Sequence, residues 1–112
     1  MITVKEPFAL SCVGDHLTIT LRGEIDHHSA APLREAIDRE LYRYRPHRFT
    51  LSLASVNFMD SSGLGLVLGR LEVCREMGCA MCLTHAGERT LRIFRMARLD
   101  RVAGLRVEGL TE

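Results

Sequence analysis

Residues 58–70 read Phe58-Met59-Asp60-Ser61-Ser62-Gly63-Leu64-Gly65-Leu66-Val67-Leu68-Gly69-Arg70, and they lie where a strand gives way to a helix. Upstream, Phe49, Leu51 and Leu53 alternate with Thr50 and Ser52, the period of a strand that is apolar on one face. Downstream, residues 62–77 read as a helix, with Gly78 at its C′ position. The segment therefore sets two hydroxyls and a carboxylate at a helix N-terminus. Four backbone N–H groups lack intrahelical partners there, and the helix dipole favours negative charge. Such a corner suits a capping serine, worth about 1 kcal/mol, or a serine that receives a phosphate. The two readings are compatible if Ser62 or Asp60 caps while Ser61 points outward.

Working outward, Leu10 and Cys12, then Leu17, Ile19 and Leu21, alternate around Val13-Gly14-Asp15, which predicts a β-hairpin. Over residues 28–44 the period lengthens. Ala30, Leu33, Ile37, Leu41 and Tyr44 recur at three to four, and Pro46 stops that helix. Residues 79–84 read as a strand, Glu88 to Ala97 as a third helix, and Gly104 to Val107 as a last strand. The order β-β-α-β-α-β-α-β requires parallel neighbours joined by right-handed crossovers. Alternation within the strands predicts an α/β fold with a mixed, mostly parallel sheet and helices mainly on one face. No linker, repeat or low-complexity tract interrupts the 112 residues, so 1–112 is expected to be a single domain.

Composition narrows the function classes. A hydrophobic content of 46% with 26% charged residues fits a folded globular chain. The net charge of +1 leaves no electrostatic footprint for nucleic acid or an acidic membrane. No stretch approaches the roughly 18 apolar residues of a membrane span. Four cysteines without an export signal predict reduced thiols and a cytoplasmic location.

The chemical alternatives are weak. Gly63-x-Gly65-x-x-x-Gly69 misses the dinucleotide spacing by one residue and lacks the Lys-Ser/Thr of a phosphate loop, so no nucleotide cofactor is expected. Met59 and Gly63 flank Ser61 at two positions, which is not the Gly-x-Ser-x-Gly of an esterase. No catalytic residue is assigned, although His27, His28 and Asp26 offer acid-base groups. Cys79-x-x-Cys82 has ligand spacing but lies on a predicted strand whose side chains face opposite ways, so the thiols, with Cys74, are expected in the core and no metal is predicted.

Phe58 to Arg70, together with Leu21-Arg22-Gly23-Glu24-Ile25-Asp26-His27-His28-Ser29-Ala30, resembles the STAS domain of bacterial anti-sigma factor antagonists, and most closely the sporulation type. The likeness spans nearly the whole chain. It implies a non-enzymatic interaction switch of the STAS fold. The unmodified antagonist would bind an anti-sigma factor that is also a serine kinase, releasing a sigma factor. Phosphorylation of the first serine after the aspartate, here Ser61, would end the binding, and a phosphatase would reset it. The partner-binding surface implied is Asp26, Asp60, Ser61, Ser62, Gly63, Leu64, Gly65 and Val67. A second reading is a non-switching STAS adaptor, a lipid-transport accessory or stress-complex component, that docks a protein through the same corner.

Several details remain as expectations. Leu64, Leu68 and Leu71 are assigned to the core, and Leu66 or Val67 to an exposed contact beside Ser61. Of His27 and His28, one packs and one is solvated. Gly63 and Gly65 serve tight strand-to-helix packing or the close approach of a partner backbone. Arg89, Arg92, Arg95, Arg98 and Arg101 recur at i, i+3, marking a solvated face or a surface turned towards an acidic kinase domain. The chain departs from the family where Ala97-Arg98 replaces an expected Ser-Gly, so the end of the third helix is expected to differ.

Overall fold

The computed structural model describes residues 2–5 and 8–111, with side chains over 8–111. Its elements are β1 (Ile2–Lys5), β2 (Phe8–Val13), β3 (His16–Ile25), α1 (His27–Tyr44), β4 (Arg48–Met59), α2 (Ser62–Met77), β5 (Ala80–Thr84), α3 (Glu88–Met96), a 3-10 turn at Leu99–Arg101 and β6 (Leu105–Val107). The strands form one sheet in sequence order, antiparallel through β1, β2 and β3 and parallel from β3 to β6. The predicted element order holds, with one strand and one short turn added. Strand β1 escaped the sequence reading; it is defined by its antiparallel pairing with β2.

Alternation sorts the sheet into two faces. Phe8, Leu10, Leu17, Ile19, Leu21, Phe49, Leu51, Met81, Leu83 and Val107 are buried in one cluster with Leu33, Ile37, Leu41, Leu66, Val67, Leu71, Cys74 and Phe94 of the helices. The other face carries Ala9, Ser11, Thr18, Thr20, Thr50 and Cys82, half-buried, with Arg48 and Arg106 exposed. One-sided helix cover is thus the consequence of strands written apolar on alternate residues.

Helix ends follow local chemistry. Gly78 closes α2 at φ 70°, and the Cys79 N–H reaches the Cys74 carbonyl at 2.7 Å. Arg45 ends α1 in the left-handed region at φ 44°, one residue before Pro46. Arg98, standing where a glycine was expected, takes the glycine's conformation anyway at φ 60°. The left-handed turn is held there at a backbone cost of about 1 kcal/mol.

Candidate functional site

Two helix starts meet at one end of the sheet. Ile25 is the register partner of Met59, and the Asp60 N–H donates to the Ile25 carbonyl at 3.1 Å. The β3–α1 corner, with Asp26, is thereby tied to the β4–α2 corner, with Asp60 and Ser61.

At the first corner Asp26 caps α1. Its Oδ1 accepts from the backbone N–H groups of His28 at 2.9 Å and Ser29 at 3.0 Å. The Ser29 hydroxyl accepts from the Asp26 N–H at 3.0 Å, completing a reciprocal capping box. The Ser29 backbone bond, followed by that of His28, holds the Asp26 carboxyl below its ordinary range. His27 and His28 are both exposed, and their rings lie 4.0 Å apart. The expectation that one of them packs is corrected: both project from the first turn of α1, away from its buried stripe.

At the second corner the cap belongs to Asp60. Its Oδ1 accepts from the Ser62 N–H at 2.8 Å, while the Asp60 and Ser61 carbonyls accept from Gly63 at 3.0 Å and Leu64 at 3.1 Å. Ser61 itself is exposed, lies at φ −63° and makes no side-chain cap hydrogen bond. Ser62 is half-buried and borders a groove of about 310 Å³ with His27, Ala30, Arg34 and Gly65. Of the two expected caps, Ser62 and Asp60, it is the carboxylate that holds the helix start, and the Ser61 hydroxyl is left at the surface.

The first turns of α2 correct two assignments. Leu66 and Val67 are buried, at 3% and 0% exposure, so neither is an exposed contact and Val67 has no surface to offer a partner. Leu68 is 39% exposed instead of buried. The reason is the stripe: Gly63, Leu66, Val67, Arg70, Leu71 and Cys74 form the buried side of α2, whereas Leu68 shares its side with Glu72 and Arg75. Leu71 is in the core as expected, and Leu64 is half-buried. Gly63 is buried against Met59, so its role is packing; Gly65 is exposed with no heavy atom within 4 Å of a Cβ placed there.

The sequence reading missed three features. Phe58 is 40% exposed on the strand leading into Asp60. Arg34 lines the groove beside Ser62. Arg70 is buried between the helices and pairs with Asp38 of α1 at 2.7 Å. Burial lowers the Arg70 guanidinium and raises the Asp38 carboxyl, each more than their mutual attraction opposes. The i, i+3 and i, i+4 spacing of Arg70 from Val67 and Leu66 was the signal for its burial.

The thiols are free. Cys74 and Cys79 are buried as expected, and burial pushes Cys74 up to about 12. Cys12 and Cys82 are only half-buried, Cys82 because it faces the uncovered side of the sheet. Among the described residues no group of three or more metal-ligating side chains gathers, and no helix is long and apolar enough to cross a membrane.

Comparison with known proteins agrees with this geometry. The STAS domain family model matches residues 8–108. The anti-sigma F factor antagonist of Paenibacillus polymyxa is 33% identical over 99 residues, covering 86% of this chain and 85% of that protein. The solved structure of the anti-sigma factor antagonist SpoIIAA in its unphosphorylated form superposes with a TM-score of 0.74 at 27% identity, over 89% of this chain and 86% of that one. The phosphorylated form of the Bacillus cell fate determinant SpoIIAA gives 0.68 at 27% identity, over 89% of each chain.

Proposed function

Because the chain belongs to the STAS-domain anti-sigma factor antagonists, we propose that its unphosphorylated form binds an anti-sigma factor that is also a serine kinase and so frees a sigma factor. Transfer of the ATP γ-phosphoryl group to the Ser61 hydroxyl ends the binding, and a phosphatase removes the phosphate to restore it. The chain is a regulatory protein rather than an enzyme; the kinase holds the nucleotide.

One observation carries this reading: Ser61 is exposed at a helix start that Asp60 already caps. Phosphate adds about 1.5 to 2 negative charges and three acceptor oxygens. The α2 dipole tolerates that charge within this chain. A partner packed over Ser61 does not, because the phosphate would have to be desolvated and accommodated next to the Asp60 carboxylate. Turning a complex from almost all bound to almost all free takes about 5.5 kcal/mol of differential affinity, and one phosphate at the centre of an interface supplies much of it.

The test uses an anti-sigma factor kinase from the same organism. Ser61→Ala is expected to stay bound in the presence of ATP, and Ser61→Asp to bind poorly. Intact mass after incubation with kinase and ATP should show one phosphate, lost in Ser61→Ala. An unchanged mass, or modification of another serine, refutes the assignment.

A further inference from the structure

The first turns of α1 and α2 leave a groove of about 310 Å³ between them, and it opens beside the serine corner. Ile25 and Met59 are register partners, and two residues beyond this pair stand His27 and Ser61. Ser62, the next residue, lines the groove with His27 and Arg34. Gly65, one turn on from Ser61, lines it too, and a Cβ placed there meets no heavy atom within 4 Å. At Gly65 the wall nearest Ser61 therefore carries no side chain. No carboxylate is among the residues that line the groove. Arg34 is exposed and forms no ion pair among the described residues. One turn further along each helix, Asp38 pairs with the buried Arg70, whose Nη1 finds no hydrogen-bond partner among the described residues. Burial holds the Arg70 guanidinium down, and the charge of Arg34 adds to that. Asp38 is within electrostatic reach of both guanidiniums, so positive charge at this end of the groove is only partly answered.

We propose that the phosphate on Ser61 turns over Gly65 into this groove and is held within the chain by Arg34, with His27 as a second donor at the mouth. The inference rests on the function proposed above and names the group that receives the phosphate. Such a receiver is needed. Asp26 and Asp60 already cap the two helices that meet at the corner, so each N-terminus faces a carboxylate before any phosphate arrives. Phosphorylation adds about 1.5 to 2 further negative charges there. A guanidinium fork gives a phosphate two parallel hydrogen bonds, and their strength rises as the groove walls displace water. The titratable and charged groups around the phosphate are then Asp26, Asp60, Arg34, His27 and His28, the last stacked against His27 with ring centroids 4.0 Å apart. Ala30 and Gly65, small residues that both line the groove, leave the room for it. Without the phosphate, Arg34 has no ion-pair partner to give up.

Wild type, Arg34→Gln and Arg34→Lys are phosphorylated with the anti-sigma factor kinase and ATP, and the phosphate is titrated with pH by phosphorus NMR. Phosphoserine ordinarily loses its second proton at about pH 6. A bound guanidinium favours the dianion, so the wild-type phosphate should titrate at least about half a unit lower than that of Arg34→Gln, with Arg34→Lys between them. The change in urea midpoint on phosphorylation should also be less favourable for Arg34→Gln than for wild type. Equal titration of wild type and Arg34→Gln overturns the proposal. If Arg34→Gln then also weakens binding of the unphosphorylated chain to the kinase, the groove belongs to the partner instead. If kinase and ATP leave no phosphate on Ser61, this contact and the proposed function fall together. If Ser61 is phosphorylated and Ser61→Asp binds poorly, but the titrations coincide, only the Arg34 contact fails.

Discussion

At the scale of single residues, the serine corner divides its labour. Asp60 holds the helix start, Ser61 faces outward, Gly63 packs under Met59 and Gly65 lies open. The two glycines give opposite expectations. A Cβ at Gly63 overlaps Met59 Cγ and Sδ, so Gly63→Ala should lower stability by about 1–3 kcal/mol through overpacking. A Cβ at Gly65 meets nothing, so Gly65→Ala should raise stability by up to about 1 kcal/mol through helix propensity. Urea midpoints of the two variants check the pair, and a stable Gly63→Ala would mean Met59 moves aside. That the corner is special was legible in Asp60-Ser61-Ser62-Gly63. Which group caps was not, because Asp, Ser and Ser all suit the position and only the backbone angles choose among them.

At the scale of elements, α2 was readable in length and termini but not in orientation. An unbroken apolar run, Leu64 to Leu68, has no polar face to mark the outside, so neighbouring leucines could not be ranked until Arg70 and Cys74 were set on the same stripe. Arg70 also joins α2 to α1 through Asp38. Burial disfavours both charges, and removing one partner leaves the other uncompensated. Asp38→Ala should therefore cost about 3 kcal/mol, whereas Asp38→Leu/Arg70→Met should unfold close to wild type. Chemical denaturation of the single and double variants measures this; a single variant as stable as the wild type would show that water already solvates Arg70. Arg98 keeps the left-handed turn because the docking of Phe94 and Leu99 on either side outweighs the local cost.

At the scale of the whole molecule, strand order and one-sided cover were legible because period and connection length determine them. The edge strand β1 and the tie between Ile25 and Asp60 were not, since they depend on pairing across the sheet. That tie makes the corner a rigid junction of two strands and two helices, so phosphate should be received without refolding. Amide chemical shifts of the phosphorylated chain are expected to change around 26–30 and 58–66 and to stay put across β1, β2 and β6. Shifts spread through the whole sheet would contradict it. Finally, the cap supplied by Asp60 separates heredity of form from heredity of control. No cap bond rests on the Ser61 hydroxyl, so under the proposed switch one codon change there would silence or fix control while the domain folds as before. Lineages are free to retune regulation on this scaffold without first rebuilding it.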